Sequence, residues 1–129
     1  MLSQNVYAYK YIFFPRQVSR LDGSHRLILI NTWVDSPRAI VVYPQKGYLF
    51  WTDWSSQNPK IERASLSGED RVVLVNKTIM DDVLSKKSIG WPNGLTIDYP
   101  TDTIYWIDAK EDIIVKMGIN GGMYYLLKR

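Results

Sequence analysis

The chain repeats itself. Leu66-Ser67-Gly68 leads through Arg71 into the apolar run Val72-Val73-Leu74-Val75, and 45 residues earlier Leu21-Asp22-Gly23 leads through Arg26 into Leu27-Ile28-Leu29-Ile30. A third copy opens 53 residues after the second, at Ile119-Asn120-Gly121, and ends in Leu126-Leu127 with Tyr124 in the arginine position. A second element recurs at a constant offset of 55: Pro37-Arg38-Ala39-Ile40 through Phe50-Trp51-Thr52-Asp53, and Pro92-Asn93-Gly94-Leu95 through Tyr105-Trp106-Ile107-Asp108. The later offsets exceed 45 for a visible reason. Leu29 to Pro37 is 8 residues and Leu74 to Pro92 is 18, so ten extra residues sit within Asn76–Trp91, centred on Met80–Ser88. That polar stretch is compatible with one helical turn or a loose loop. Self-similarity at such a period means units that bury their apolar faces only against one another.

Each unit reads as four short strands. Ala39–Tyr43 is an apolar, β-branched run suited to a strand buried on both faces. Tyr48–Asp53 follows the turn Pro44-Gln45-Lys46-Gly47, then Lys60–Leu66, then Arg71–Val75 after the hairpin turn at Ser67-Gly68-Glu69-Asp70, where Gly68 supplies a positive φ. The next unit gives Leu95–Asp98, Thr103–Asp108, Ile113–Ile119 and Met123–Leu127, with Asn93-Gly94 as a turn into its first strand. Val18–Leu21 and Arg26–Ile30 are the last two strands of an earlier unit. Repeated four-stranded antiparallel units of about 40–45 residues are propeller blades. The expected fold is therefore all-β, a partial β-propeller: a half blade over 16–31, a blade over 37–76, an insertion over about 77–90 and a blade over 91–129. Residues 1–15 lie outside the repeat.

Composition narrows the chemistry. With 129 residues, 46% hydrophobic and 13% aromatic, the chain is one domain able to bury a β-rich core. Absence of cysteine excludes disulfides, thiolate metal sites and a cysteine nucleophile. A single histidine, His25, excludes a multi-histidine metal cluster, and a lone turn histidine is ordinarily solvated. No Gly-x-Ser-x-Gly and no histidine–carboxylate constellation points to hydrolysis. Sixteen basic against thirteen acidic side chains leave +3, without a basic stripe, so nucleic acid is not an expected partner. No apolar run reaches the length of a membrane span, and residues 1–14 lack the pattern of a signal peptide.

Phe50-Trp51-Thr52-Asp53-Trp54, Ile61-Glu62-Arg63-Ala64, Leu66-Ser67-Gly68, Trp91-Pro92-Asn93-Gly94-Leu95-Thr96-Ile97-Asp98 and Tyr105-Trp106-Ile107-Asp108 resemble the YWTD repeats, or low-density lipoprotein receptor class B repeats. The likeness spans roughly residues 18–127 apart from the insertion, in the flavour of the LDL-receptor-related endocytic receptors. It implies a six-bladed propeller on the extracellular side of a membrane receptor, of which this chain supplies about two and a half blades as part of a longer product. It also implies protein or peptide ligands and a role in ligand binding or release. The remaining blades and EGF-like modules of a parent receptor are expected partners, with membrane association only through that receptor. No cofactor and no catalysis are implied. A structural spacer, a truncated product without function, or a propeller hydrolase are the competing readings. The sequence departs from the repeat where Tyr43 replaces Asp, Phe50 replaces Tyr and Ile107 replaces Thr.

Trp51 and Trp106 are expected to pack between blades, and Asp53 and Asp108 to accept backbone N–H groups at the strand ends. Gly68 and Asp98 complete the repeat positions. By resemblance, the loop into the innermost strand lies on the ligand-binding face, which makes Arg38, Trp91 and Asn93 the candidate ligand contacts. Stacking area beside an amide and a guanidinium suits peptide recognition. Arg63 and Arg71 read as surface or carboxylate-pairing groups. Asn76-Lys77-Thr78 is an N-glycosylation sequon.

Overall fold

The computed structural model describes residues 16–18, 22–84, 88–122 and 124–128. Among these residues, ten strands and one α-helix follow in chain order: β1 Arg16–Val18, β2 Leu27–Ile30, β3 Pro37–Tyr43, β4 Tyr48–Asp53, β5 Lys60–Ser65, β6 Val72–Val75, α1 Lys77–Leu84, β7 Pro92–Asp98, β8 Thr103–Asp108, β9 Ile113–Gly118 and β10 Tyr125–Lys128. They form three antiparallel sheets: a half sheet β1-β2, a first full sheet β3-β4-β5-β6 and a second full sheet β7-β8-β9-β10.

The pairing is the same in every copy. Arg16, Gln17 and Val18 face Ile30, Ile28 and Leu27, as Ile61, Glu62 and Arg63 face Val75, Val73 and Val72, and as Ile114, Val115 and Lys116 face Lys128, Leu126 and Tyr125. All three hairpins carry a bulge at the same step. The inner hairpins also match, Pro37 opposite Asp53 and Ile40 opposite Trp51, against Pro92 opposite Asp108 and Leu95 opposite Trp106. A one-residue slip would turn every buried side chain to the other face, so packing fixes this register. Turn chemistry repeats with it. Gly23, Gly68 and Gly121 occupy one left-handed position with φ of 80°, 87° and 76°. At Gly68 a Cβ would stand 2.3 Å from the Leu29 carbonyl oxygen, so the hairpin touches the half sheet there and only glycine fits.

Two core clusters lie between the sheets. Ile30, Leu49, Trp51 and Ala64 pack between the half sheet and the first full sheet. Phe50, Ile61, Val75, Ile104, Trp106, Val115 and Met117 pack between the two full sheets. Neighbours on β4 thus point to opposite sides, Trp51 backwards and Phe50 forwards, as strand alternation demands. Fully burying side chains of this size contributes about 1.5–3 kcal/mol each. Polar links cross the second seam too. Arg63 donates to the Ile119 carbonyl (3.2 Å) and to Asn120, and lies 4.2 Å over the Tyr48 ring. The Tyr124 hydroxyl donates to the Leu74 carbonyl at 2.5 Å.

Several expectations change. The insertion opens with a helix of eight residues, longer than a single turn. It begins earlier than Met80, because the Asn76 side chain accepts the Ile79 N–H (2.9 Å) and caps it, and Met80 anchors it in the core. Asn93-Gly94 is part of β7 rather than a turn, since Pro92 enters the strand as its first residue and the ladder absorbs the irregularity as a register shift. β3 starts at Pro37, and its middle positions are half-buried, not buried on both faces. β1 is described over Arg16–Val18; residues 19–21 and Met123, expected in strands, lie outside the described residues. Strands β5 and β9 each stop one residue early, at Ser65 and Gly118. Arg63 is a seam cross-link to a backbone carbonyl and an amide rather than a surface or carboxylate-pairing group.

Candidate functional site

The start of each innermost strand and the end of its neighbour meet at one end of the sheets, because β3 pairs antiparallel with β4 and β7 with β8. Two buried carboxylates organise this end. Asp53 accepts the N–H groups of Asp35 (2.9 Å) and Ser36 (2.8 Å). Asp108 accepts those of Gly90 (2.7 Å), Trp91 (3.0 Å), Lys110 (3.0 Å) and Glu111 (3.0 Å). Each ties the entry loop of an innermost strand to the end of the strand beside it. The Trp54 N–H then donates to the Ser36 carbonyl at 2.8 Å.

Above these clamps the side chains stack. The Arg38 guanidinium carbon lies 4.0 Å from the centre of the Trp54 ring, within range of a cation–π contact. Trp54 and Trp91 have ring centroids 5.2 Å apart at 44°. Trp91 remains 43% exposed. Asn93 is two residues further along β7, and its carbonyl accepts the Thr52 hydroxyl at 2.9 Å. Thr52 is itself buried and its oxygen accepts the Ala39 N–H (2.9 Å), so one hydroxyl ties the first strands of both full sheets together. The result is a cation–aromatic ledge across the seam, with the Thr52–Asn93 link in the adjoining strands. Such a ledge offers stacking area and hydrogen-bond donors to an extended polypeptide.

Of the sequence candidates, Arg38 and Trp91 come together through Trp54, and Asn93 sits alongside. Trp54 and Thr52 join the site only in three dimensions. Trp54 follows the strand motif directly, but its repeat partner is Ala109, so periodicity does not mark it. Trp51 and Trp106 are buried in the two clusters, with Arg71 5.2 Å over the Trp51 ring. Arg71 also pairs with Glu62 through Nε (2.8 Å) and Nη2 (2.7 Å). Asp98 accepts the Thr101 hydroxyl at 2.5 Å. Asn76 is partly exposed at the start of α1. Among the described residues, no group of three or more His, Cys, Asp or Glu could hold a metal ion.

The opposite end carries a second joint. The Tyr43 hydroxyl lies 2.7 Å from Asp102 Oδ1 and 2.8 Å from the Tyr99 carbonyl, donating between them, and Lys46 Nζ is 3.1 Å from Asp102 Oδ2. Donation from Tyr43, then from Lys46, holds the Asp102 carboxyl below the usual carboxylate range, and the same bond to Asp102 raises the Tyr43 hydroxyl. Tyr99 returns the contact by donating to the Val42 carbonyl (2.9 Å). The departure from Asp to Tyr at position 43 is thus an inter-sheet link.

Stacked four-stranded antiparallel sheets with a shared register define a partial β-propeller. The family model for the low-density lipoprotein receptor repeat class B matches residues 47–99. The chain is 38% identical over 104 residues to the human low-density lipoprotein receptor-related protein 5-like protein, covering 81% of this chain and 37% of that one. It is 38% identical over 109 residues to the vitellogenin receptor Yl of Drosophila melanogaster, covering 84% of this chain and 5% of the relative. A vitellogenin receptor of Solenopsis invicta is 31% identical over 100 residues, covering 78% of this chain and again 5% of the relative. Among solved structures, a chain in the crystal structure of a nidogen/laminin complex superposes with a TM-score of 0.79 at 31% identity, over 91% of this chain and 41% of that one. The chain carries low-density lipoprotein receptor class B, or YWTD, repeat sequence. It spans less than half the length of each of these relatives. No helix among the described residues is long and apolar enough to cross a membrane.

Proposed function

We propose that this chain is a non-enzymatic binding segment of a receptor-type propeller on the extracellular side of a membrane, contacting protein or peptide ligands through Arg38, Trp54, Trp91 and Asn93. The observation that carries the reading is the Arg38–Trp54–Trp91 stack, which keeps an indole exposed across a seam between two sheets. Tryptophan and arginine are enriched among the residues that dominate interface energies, so an exposed indole stacked with a guanidinium suits a protein contact. Binding of an Asn-containing peptide, followed by titration calorimetry, tests it. Trp91→Ala and Asn93→Ala should each weaken binding at least about tenfold, and unchanged binding by both removes these residues from the site. Turnover of glycosides or esters by the purified chain would overturn the non-enzymatic reading.

The rest of a propeller is the second expected partner, with EGF-like modules beyond it. Repeat positions 55 apart support this. Phe50 and Thr52, on the face covered by the second full sheet, are fully buried, whereas their counterparts Tyr105 and Ile107 are partly exposed and 42% exposed. A further blade would cover that face as the second full sheet covers the first. Asn76 is the proposed glycan attachment point. Its Oδ1 caps α1, which leaves attachment at Nδ2 compatible with the cap. A mass shift removed by peptide-N-glycosidase and absent in Asn76→Gln checks it.

A further inference from the structure

Trp33 is the most exposed large hydrophobic residue described, at 82%, and its backbone is left-handed with φ of 55°. For a bulky residue that conformation is disfavoured and persists only where the surroundings over-determine it. Here they do. Lys60 Nζ donates to the Trp33 carbonyl at 2.7 Å, Arg71 Nη2 to the same carbonyl at 3.0 Å, and Arg71 Nη1 to the Thr32 carbonyl at 2.6 Å. Both cations are held from below by Glu62, 3% exposed, at 3.4 Å from Lys60 and 2.7 Å from Arg71. Two residues further on, Asp53 fixes the Asp35 and Ser36 N–H groups. The loop is therefore pinned on both sides of Trp33 while the indole itself stands in water.

The repeat shows that the fold does not ask for an indole there. The loop into the second full sheet is clamped by Asp108 as this one is by Asp53, and the residue matching Trp33, 55 positions on, is Ser88. The loop carrying Trp33 joins β2 to the start of β3, at the end of the sheets where Arg38, Trp54 and Trp91 stack.

We infer that Trp33 is a second aromatic anchor, one that inserts against an apolar side chain of the same protein ligand that engages the Arg38–Trp54–Trp91 ledge. The inference rests on the proposed ligand-binding role of that ledge. Its partner is an extended polypeptide with two contact points, one cation–aromatic and amide-rich at the ledge, one apolar at Trp33. Rigid presentation on a pre-formed loop lowers the ordering cost of such a contact.

The test uses 12-residue peptides selected from a random display library on the unmodified chain; a fully extended peptide of that length reaches about 40 Å, enough for two anchors. Binding is then measured to Trp33→Asn, Trp33→Phe and Trp91→Ala, with melting temperatures. Asn tolerates the left-handed conformation, so Trp33→Asn should melt no lower than the unmodified chain yet bind at least about tenfold more weakly, with Trp33→Phe intermediate. Binding lost in Trp91→Ala but intact in Trp33→Asn overturns the anchor and leaves the ledge standing. Binding lost in Trp33→Asn but intact in Trp91→Ala keeps Trp33 as a contact but overturns the ledge and, with it, the two-anchor reading. Melting of Trp33→Asn several degrees lower shows the indole to be a packing element, and failure to select any peptide counts against both.

Discussion

Asp108→Asn tests whether buried carboxylates, rather than the indoles above them, build the end of the sheets that carries the candidate site. Asp108 accepts four backbone N–H groups, Asp53 two. An amide keeps one oxygen and points two donors where the other was. In the better orientation the substituted amide would still serve Lys110 and Glu111 and, through the 3.0 Å contact, Trp91, while Gly90 would face a donor. Leaving one buried N–H unmet costs about 1–3 kcal/mol, and turning three charge-assisted bonds into neutral ones costs about 0.5–1 kcal/mol each. The sum is about 4 kcal/mol, a large part of a typical domain's ~5–15 kcal/mol. Asp53→Asn loses one N–H and weakens one bond, for about 2–3 kcal/mol by the same reasoning. Urea unfolding followed by far-ultraviolet circular dichroism measures both, with an unchanged slope required for the comparison. A loss within about 1 kcal/mol of zero for Asp108→Asn, or a larger loss for Asp53→Asn, would refute the reasoning.

Gly68→Ala should cost at least about 2 kcal/mol and loosen the half sheet first, because the new methyl meets the Leu29 carbonyl at 2.3 Å and φ is 87°; hydrogen exchange at Leu29 and Ile30 reports it. Phe50→Ala should cost about 3–5 kcal/mol, while Tyr105→Ala, on the face no sheet covers here, should cost less than half of that; equal losses in denaturant melts would show that the two faces are alike. The joint at Tyr43 and Asp102 sets an acid limit. Because the folded Asp102 carboxyl is held low, its contribution is present above the ordinary carboxylate range and is lost as pH falls through and below about 4, so it persists at about pH 5–6. Tyr43→Phe should flatten that acid-side loss in a pH series of melts, and an unchanged profile would mean the hydroxyl does not hold the carboxylate.

The fold was largely legible because repetition constrains more than composition does. The apolar runs 45, 53 and 55 residues apart mark strands whose register then has only one way to bury Trp51, Trp106 and Ile61. The helix was not legible. Lys77–Leu84 spans only two turns, its cap doubles as a glycosylation sequon, and its apolar residues Ile79, Met80, Val83 and Leu84, though at helical spacing, cover too short a stretch beside polar neighbours to separate it from a loop by pattern alone. Asn93-Gly94 after a proline carries the local signature of a turn, yet pairing with β8 draws it into the strand. At the site, Arg38, Trp91 and Asn93 came from motif resemblance. Trp54, which links two of them, has no periodic partner and emerges only when the seam is assembled.

The helix between β6 and β7 also says where such chains can change length. Ten added residues shift the spacing from one sheet to the next, while every pairing inside the second full sheet still mirrors the first. The crossover from an outermost to an innermost strand is thus a permissive point for insertion and deletion, and a natural place to graft a tag or an epitope, whereas a residue added inside a paired strand would turn its buried side chains to the other face.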